Sequence, residues 1–298
     1  SSTPTIRLSD VVAVGEATIV YDREGNEIDQ YVSTNSNRLS VGMDEIPDYL
    51  GKAFVAIEDE RFYQHNGIDF KSIIRAGYQF FKTGGEEAQG ASTITQQLLK
   101  NTVFTDWTSE GNNKIKKIKR KIQEQYLALE ITKYYSKDEI LLRYMNAINL
   151  GQNTLGVESA SLRYFGKHCS ELTISECAVI ASITQNPSKY NPIRHPEENV
   201  KRREKCLNKM LELGFISQTQ YDEAMADTDA VYERIGLYDI DYQEANATTG
   251  SYFSDAVYEQ VKQDLILSGY NENMAETLLT SGGLRVESTL DPKIQAIL

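Results

Sequence analysis

The sequence predicts a mainly α-helical protein with short β segments at its edges. Three observations lead there. Between residues 41 and 216 apolar side chains recur at spacings of three and four. The runs stop at Gly or Pro. Strand-like patterning is confined to the stretches 17–32 and 284–290.

Residues 17–32 read as a hairpin: ATIVYD, a turn over 23–26, then EIDQYV with partial alternation. From Asp44 the pattern turns helical, with Leu50, Ala53, Phe54 and Ile57 at i, i+3, i+4 and i+7. Glu58 lies one residue past that stripe, and Gly67 is a stop shortly after. Residues 114–135 read as one long helix, with Ile115, Ile118, Ile122, Tyr126 and Leu129 on a single stripe and Lys117, Arg120, Lys121 and Glu124 on another face. Further helices are expected over 137–149, 156–164, 175–185 and 197–213, the last ending at Gly214. Pro187, Pro192 and Pro196 punctuate the loop before it. Beyond it come a helix over 254–268 and the strand-like LRVESTL.

The chain's net charge of −12 is unevenly spread. From Ser217 to the end there are 15 acids and 4 bases, whereas the first 216 residues hold 28 acids and 27 bases. That shift marks an expected boundary over 214–217. With no strongly basic domain, nucleic acid is not an expected partner. The one basic cluster, Lys114, Lys116, Lys117, Lys119, Arg120 and Lys121, is either a solvated helix face or a patch facing phosphates or an anionic membrane. Three cysteines and three histidines make neither a disulfide framework nor a His-rich metal site. Cys177, inside ECAVIASI, reads as a small core residue. No apolar run approaches the roughly 18 residues of a spanning helix.

Two neighbouring segments carry the chemistry. In EDERFYQHNG (58–67), Glu58 stands among Asp59, Glu60, Arg61 and His65, with Phe62 as an apolar wall. A lone glutamate at a helix edge is ordinarily a surface charge; this crowding makes it a candidate general base or acid. In QGASTITQQLLKN (89–101), Ser92 or Thr93 is placed to cap a helix. The free N–H groups of such a first turn can also hold an anion, and Gly90 and Ala91 let a ligand approach the backbone. Gln96, Gln97 and Lys100 add donors, although adjacent glutamines point to different sides of a helix, so one is expected to touch ligand. In RKIQE (120–124), Arg120 and Glu124 form either a plain i, i+4 pair or, with Lys121, a diphosphate site with Glu124 modulating the cations or holding a divalent ion.

These segments resemble the motifs of the peptidoglycan glycosyltransferases, glycosyltransferase family 51. EDERFYQHNG is similar to that family's ED-x-x-F-x-x-H-x-G, GASTITQQLLKN to G-x-STITQQ-x-x-KN, and RKIQE to RK-x-x-E. Residues 137–167 resemble the fourth motif and ECAVIASITQNPSKYNP (176–192) the fifth, so five ordered motifs span 58–192. YFSDAVYEQV and GGLRVESTLDPKIQ resemble the linker that leads to the transpeptidase domain in bifunctional class A penicillin-binding proteins. No S-x-x-K occurs, and Lys82-Thr83-Gly84 falls inside the glycosyltransferase region, so no transpeptidase activity is expected.

The resemblance implies a lysozyme-like, two-lobed glycosyltransferase domain over 41–216, an N-terminal β segment and linker over 1–40, and an acidic linker over 217–298. It implies polymerisation of lipid II into β-1,4-linked glycan with inversion and release of undecaprenyl diphosphate. Glu58 would be the base, Glu124 would assist at the diphosphate, through Mg²⁺ or Mn²⁺ if a metal takes part, and Arg75, Lys100, Arg120 and Lys121 would surround the phosphates. Ser92, Thr93, Gln96 and Gln97 complete the expected substrate contacts. No organic cofactor is implied. Lipid II, the growing glycan chain, the bacterial membrane surface, moenomycin-type phosphoglycolipid inhibitors and cell-wall synthesis or division proteins are the implied partners. The implied place is the extracytoplasmic face of the cytoplasmic membrane, held by an N-terminal transmembrane anchor outside this chain. Val103, Phe104 and Trp107, next to the lysine-rich turns, suit a surface dipping into an anionic bilayer. The rivals are a lysozyme-like hydrolase with Glu58 as general acid and a catalytically idle scaffold.

Overall fold

The computed structural model describes residues 18–31, 39–82, 90–102, 114–240, 252–270, 275, 278–279 and 284–289. Among them are three strands, β1 (Thr18–Tyr21), β2 (Glu27–Tyr31) and β3 (Arg285–Glu287). The helices are α1 (Asp48–Glu58), α2 (Phe70–Lys82), α3 (Ile94–Thr102), α4 (Lys114–Ile131), α5 (Lys137–Ala147), α6 (Val157–Phe165), α7 (Ile174–Ala181), α8 (Pro196–Glu212), α9 (Gln218–Ala226), α10 (Thr228–Glu233) and α11 (Tyr252–Leu267). The chain divides into two units, Asn37–Ile240 and Ser1–Ser36 with Asp241–Leu298. No helix among the described residues is long and apolar enough to cross a membrane.

In the helical unit, the stripe of α1 does what its spacing demands: Leu50, Ala53 and Phe54 are fully buried. α1 packs against α5, α7 and α8, and α3 lies between α4 and α5. α7 is buried along its length, including Cys177, so its apolar run has no polar face. Local sequence starts these helices. Ser136 with Glu139, Thr173 with Glu176 and Ser217 with Gln220 form capping boxes on α5, α7 and α9, each satisfying two orphan N–H groups. Pro196 opens α8 at the position where its missing N–H costs nothing. Gly67 has φ +89, and a Cβ there would lie 2.0 Å from the Ala128 carbonyl oxygen. Only glycine lets the turn after α1 press against α4.

Several expectations are corrected. α4 ends at Ile131, not 135. The stripe of Ile118, Ile122 and Tyr126, for which no burial was expected, is exposed. The buried face is Glu124, Leu127, Ala128 and Ile131. Periodicity identifies a face but not which face meets the core. α2, α9 and α10 have no counterpart in the sequence reading. The helical unit also runs to Ile240 rather than ending at 216. The fully buried Arg203 explains this, because its guanidinium donates to Thr228 Oγ1 at 2.9 Å, to Ser175 Oγ at 2.7 Å and to the Ala224 carbonyl. α9 and α10 complete the shell of that cation, so the change of charge at 214–217 is not a change of unit.

In the smaller unit the strand order is β2-β1-β3, with β1 antiparallel to β2 and parallel to β3. Asp22 closes the hairpin by accepting from the backbone N–H groups of Glu24 and Asn26 at 2.8 and 2.9 Å. Val20 and Leu279 form its core, covered by Ile28, Val257, Val261 and Leu265.

Candidate active site

Glu58 is the last residue of α1, its side chain 8% exposed, and it lines a cleft of about 860 Å³. Three donors from three places converge on it. Thr184, just beyond α7, and Arg202 Nη2, on α8, both donate to Oε1. Gln97 Nε2, on α3, donates to Oε2 at 2.8 Å. An ionised carboxylate offers about four lone-pair positions, so one remains on Oε2 to accept a proton. Gln97 is held in turn by the buried Tyr144, whose hydroxyl donates to its Oε1 at 3.3 Å.

Asp59, the next residue, faces the other way. Both its oxygens meet His65 Nε2, at 2.9 and 3.0 Å, and Oδ2 accepts from the Ile94 backbone N–H at 3.0 Å. One of the orphan N–H groups of α3 is thus tied to the end of α1. Thr93 and Gln96 are buried and taken up by the same junction: the Thr93 N–H donates to Gln96 Oε1 at 2.9 Å, the Gln96 N–H to Thr93 Oγ1 at 3.2 Å, and the Thr93 hydroxyl to the Gly67 carbonyl at 2.7 Å. Neither lines the cleft, and at a helix start their polar atoms serve the backbone. Ser92 and Gln97 do line it, as do Gly90 and Lys100.

At Glu124 the structure gathers the predicted cations. The carboxylate is 1% exposed and accepts from Arg120 Nη1 at 2.9 Å and from Lys121 Nζ. Lys121 Nζ also donates to Ser92 Oγ at 2.9 Å, joining α4 to the small-residue turn. Lys100, half-buried, has its pKa lowered by burial and then by the charge of Arg120; Glu124 opposes the shift. Ser92, Lys100 and Glu124 border the cleft. Glu124 does not fit a metal ligand here, because Arg120 and Lys121 each bind one of its oxygens and their positive charges oppose a divalent ion beside it. Among the described residues no group of three or more His, Cys, Asp or Glu is gathered for a metal.

Arg75 is not among the cleft residues. It donates to Glu60 Oε1 at 3.3 Å and to Ser72 Oγ at 3.1 Å. Val103, Phe104 and Trp107 lie outside the described residues. Sequence reasoning missed Arg202 and Thr184. Arg202 is 10% exposed, its guanidinium lies 4.9 Å from the Tyr190 ring centroid, and Nη1 donates to Gln185 Oε1 at 2.9 Å. Gln185 has φ +68, a strained conformation for a non-glycine residue of the kind that collects at functional sites. The available signal was the pair Arg202-Arg203: neighbours on a helix diverge by about 100°, so one of two packed arginines must face away from the other's surroundings.

The family model and the curated relatives agree on one relationship. The transglycosylase family model matches residues 24–211. Penicillin-binding protein 1A of Clostridium perfringens (strain ATCC 13124) is 38% identical over 303 residues, covering 99% of this chain and 35% of its own length. Penicillin-binding protein 1F of Bacillus subtilis (strain 168) is 37% identical over 276 residues, 93% of this chain and 35% of its own length. The chain therefore spans 35% of the length of each of these two curated relatives. A solved structure of penicillin-binding protein 1A from Haemophilus influenzae aligns with 95% of this chain and 28% of its own, at 23% identity and a TM-score of 0.40.

Proposed function

The chain belongs to the transglycosylase family, and from that premise we propose that it polymerises lipid II into β-1,4-linked glycan for the bacterial cell wall. The carrying observation is a single cleft lined by Glu58, a buried carboxylate with one open lone pair, and by Lys100 and Glu124, the latter paired behind the lining with Arg120 and Lys121.

In this reading Glu58 Oε2 takes the proton of the acceptor sugar's 4-hydroxyl. The oxygen attacks the anomeric carbon of the growing chain from the face opposite the leaving group. The carbon–oxygen bond to undecaprenyl diphosphate breaks, the electron pair leaves with the diphosphate, and the anomeric centre inverts. Charge grows on the diphosphate as that bond lengthens, and Lys100, Arg120 and Lys121 are the groups proposed to stabilise it. Arg120 and Lys121, held in advance by Glu124, and Lys121 also by Ser92, need no reorganisation at the moment of reaction. Glu124 acts here by orienting cations.

A membrane setting suits the outer surface of the same unit. Phe70, Ile74, Tyr78 and Phe81 form an exposed stripe on α2, and Ile118, Ile122 and Tyr126 form another on α4 beside the exposed Lys117 and Lys119. Apolar stripes flanked by lysines bind the interface of an anionic bilayer, where a substrate with a lipid tail resides. Phosphoglycolipids of the moenomycin type, which combine sugar, phosphate and lipid, are proposed to compete for the cleft.

The test supplies lipid II and finished glycan separately. Polymer from the first supports this reading. Cleavage of the second without polymerisation of the first would replace it with a hydrolase.

A further inference from the structure

A second group of cations borders the cleft on its α8 side, away from the Ser92 turn in sequence and not used by the mechanism above. Lys201, Arg202 and Lys205 all line it, beside Glu198. Their situations differ. Arg202 is occupied by Glu58, Thr184 and Gln185. Lys201 pairs with Glu198 at 2.7 Å, and that hydrogen bond raises its pKa. Lys205 is exposed and has no hydrogen-bond or ion-pair partner among the described residues. Lys201 and Lys205 stand four apart on one helix face, where like charges destabilise each other. An anion between them removes that repulsion.

The chemistry of the proposed reaction asks for such a site. Each of the two molecules joined carries anionic groups. Inversion by direct displacement puts the acceptor on the side of the anomeric carbon opposite the leaving diphosphate. The cations at Glu124 therefore cannot serve both partners at once.

We propose that Lys205, with Lys201, forms a second anion-binding subsite on the α8 wall of the cleft, which holds an anionic group of the incoming acceptor. Its ligand is a phosphate or a carboxylate: the acceptor's diphosphate or an acidic group of its stem peptide. This rests on the polymerase reading given above. The subsite binds the acceptor equally before and during reaction, so it acts on KM and leaves kcat alone.

The experiment compares steady-state polymerisation of lipid II by the unmodified protein and by Lys205→Ala, Lys205→Arg and Lys205→Glu, with Lys201→Ala/Lys205→Ala as the stronger variant. Loss of one charge-assisted contact is expected to raise KM about five- to tenfold in Lys205→Ala, and further in Lys205→Glu, with kcat within about twofold of the unmodified value. Lys205→Arg should keep a near-normal KM. Repeating the series with lipid II whose stem carboxylates are amidated distinguishes the sources. If the Lys205 effect vanishes, the subsite holds the stem; if it persists, the subsite holds the diphosphate. An unchanged KM in Lys205→Glu, or a fall in kcat at constant KM, overturns the subsite while polymer from the unmodified protein leaves the underlying reading standing. Absence of polymer from the unmodified protein removes both.

Discussion

Glu58→Gln tests the proton acceptor with the smallest change of shape. The oxygen that replaces Oε1 still accepts from Thr184 and Arg202. The new amide nitrogen meets Gln97 Nε2, so two donors face each other where a 2.8 Å hydrogen bond stood. Gln97 can rotate its amide and restore that contact, but it then turns its NH₂ toward the Tyr144 hydroxyl, and that buried group loses its acceptor. One neutral hydrogen bond and part of a charged one are lost, at a cost of about 1–3 kcal/mol in stability. For a unit of this size that lowers Tm by several degrees and leaves the protein folded at 25 °C. The rate effect is larger. Removing a general base costs about 10²–10⁴-fold, or roughly 3–5 kcal/mol in the barrier. Initial rates of polymerisation from labelled lipid II, with a thermal melt of the same sample, separate the two effects. A folded variant that keeps more than about a tenth of the unmodified turnover would refute the assignment of Glu58 as base.

Glu124→Gln should lower kcat by about tenfold or more, because it loosens Arg120 and Lys121 together. It should also lower the pKa of Lys100 further, since Glu124 opposes that shift, so the alkaline fall in activity should begin at a lower pH than in the unmodified protein. Gly67→Ala should destabilise the helical unit by about 2 kcal/mol or more, through both its positive φ and the contact with the Ala128 carbonyl; denaturant unfolding checks this, and an unchanged midpoint would show that the turn can move away from α4. His168 is expected to give a small pH-dependent increment of stability. Its Nδ1 lies 2.6 Å from the buried Glu158 carboxylate, and this hydrogen bond raises its pKa above the ordinary 6.5. The increment is fully present below the unfolded pKa and is lost as pH rises through the folded one. In melts across that range, His168→Ala should flatten the dependence.

The sequence was a good guide to the site wherever function and helix periodicity spoke of the same residue. Glu58 stands at the end of a clear buried stripe, and Ser92, Lys100, Arg120, Lys121 and Glu124 come together as their motifs imply. Thr93 and Gln96 show why such residues are hard to read: a helix start calls for the same polar residues as an anion site, and here backbone groups bind them. Arg202 was hidden in a helix dense in charge, VKRREKCLNK, whose polar residues resemble a solvated face. Its importance depends on α1, some 140 residues earlier, ending against it. The exposed Ile118 and Ile122 show the complementary difficulty, since a stripe made for another surface has the same period as one made for the core. The charge step at 214–217 failed as a boundary because burial of Arg203 is a tertiary event with no local signature.

The convergence on one carboxylate has a consequence for how activity should disappear under stress. Donors to Glu58 come from α3, the turn after α7, and α8, while Asp59 fastens the end of α1 to the start of α3. The reacting group is therefore a meeting point of segments spread from residue 58 to residue 202, and no smaller piece of the helical unit can hold it alone. Loss of any one segment releases the acid from its setting. Catalysis and cooperative unfolding should then share a single midpoint, with no partly unfolded form that still turns over substrate.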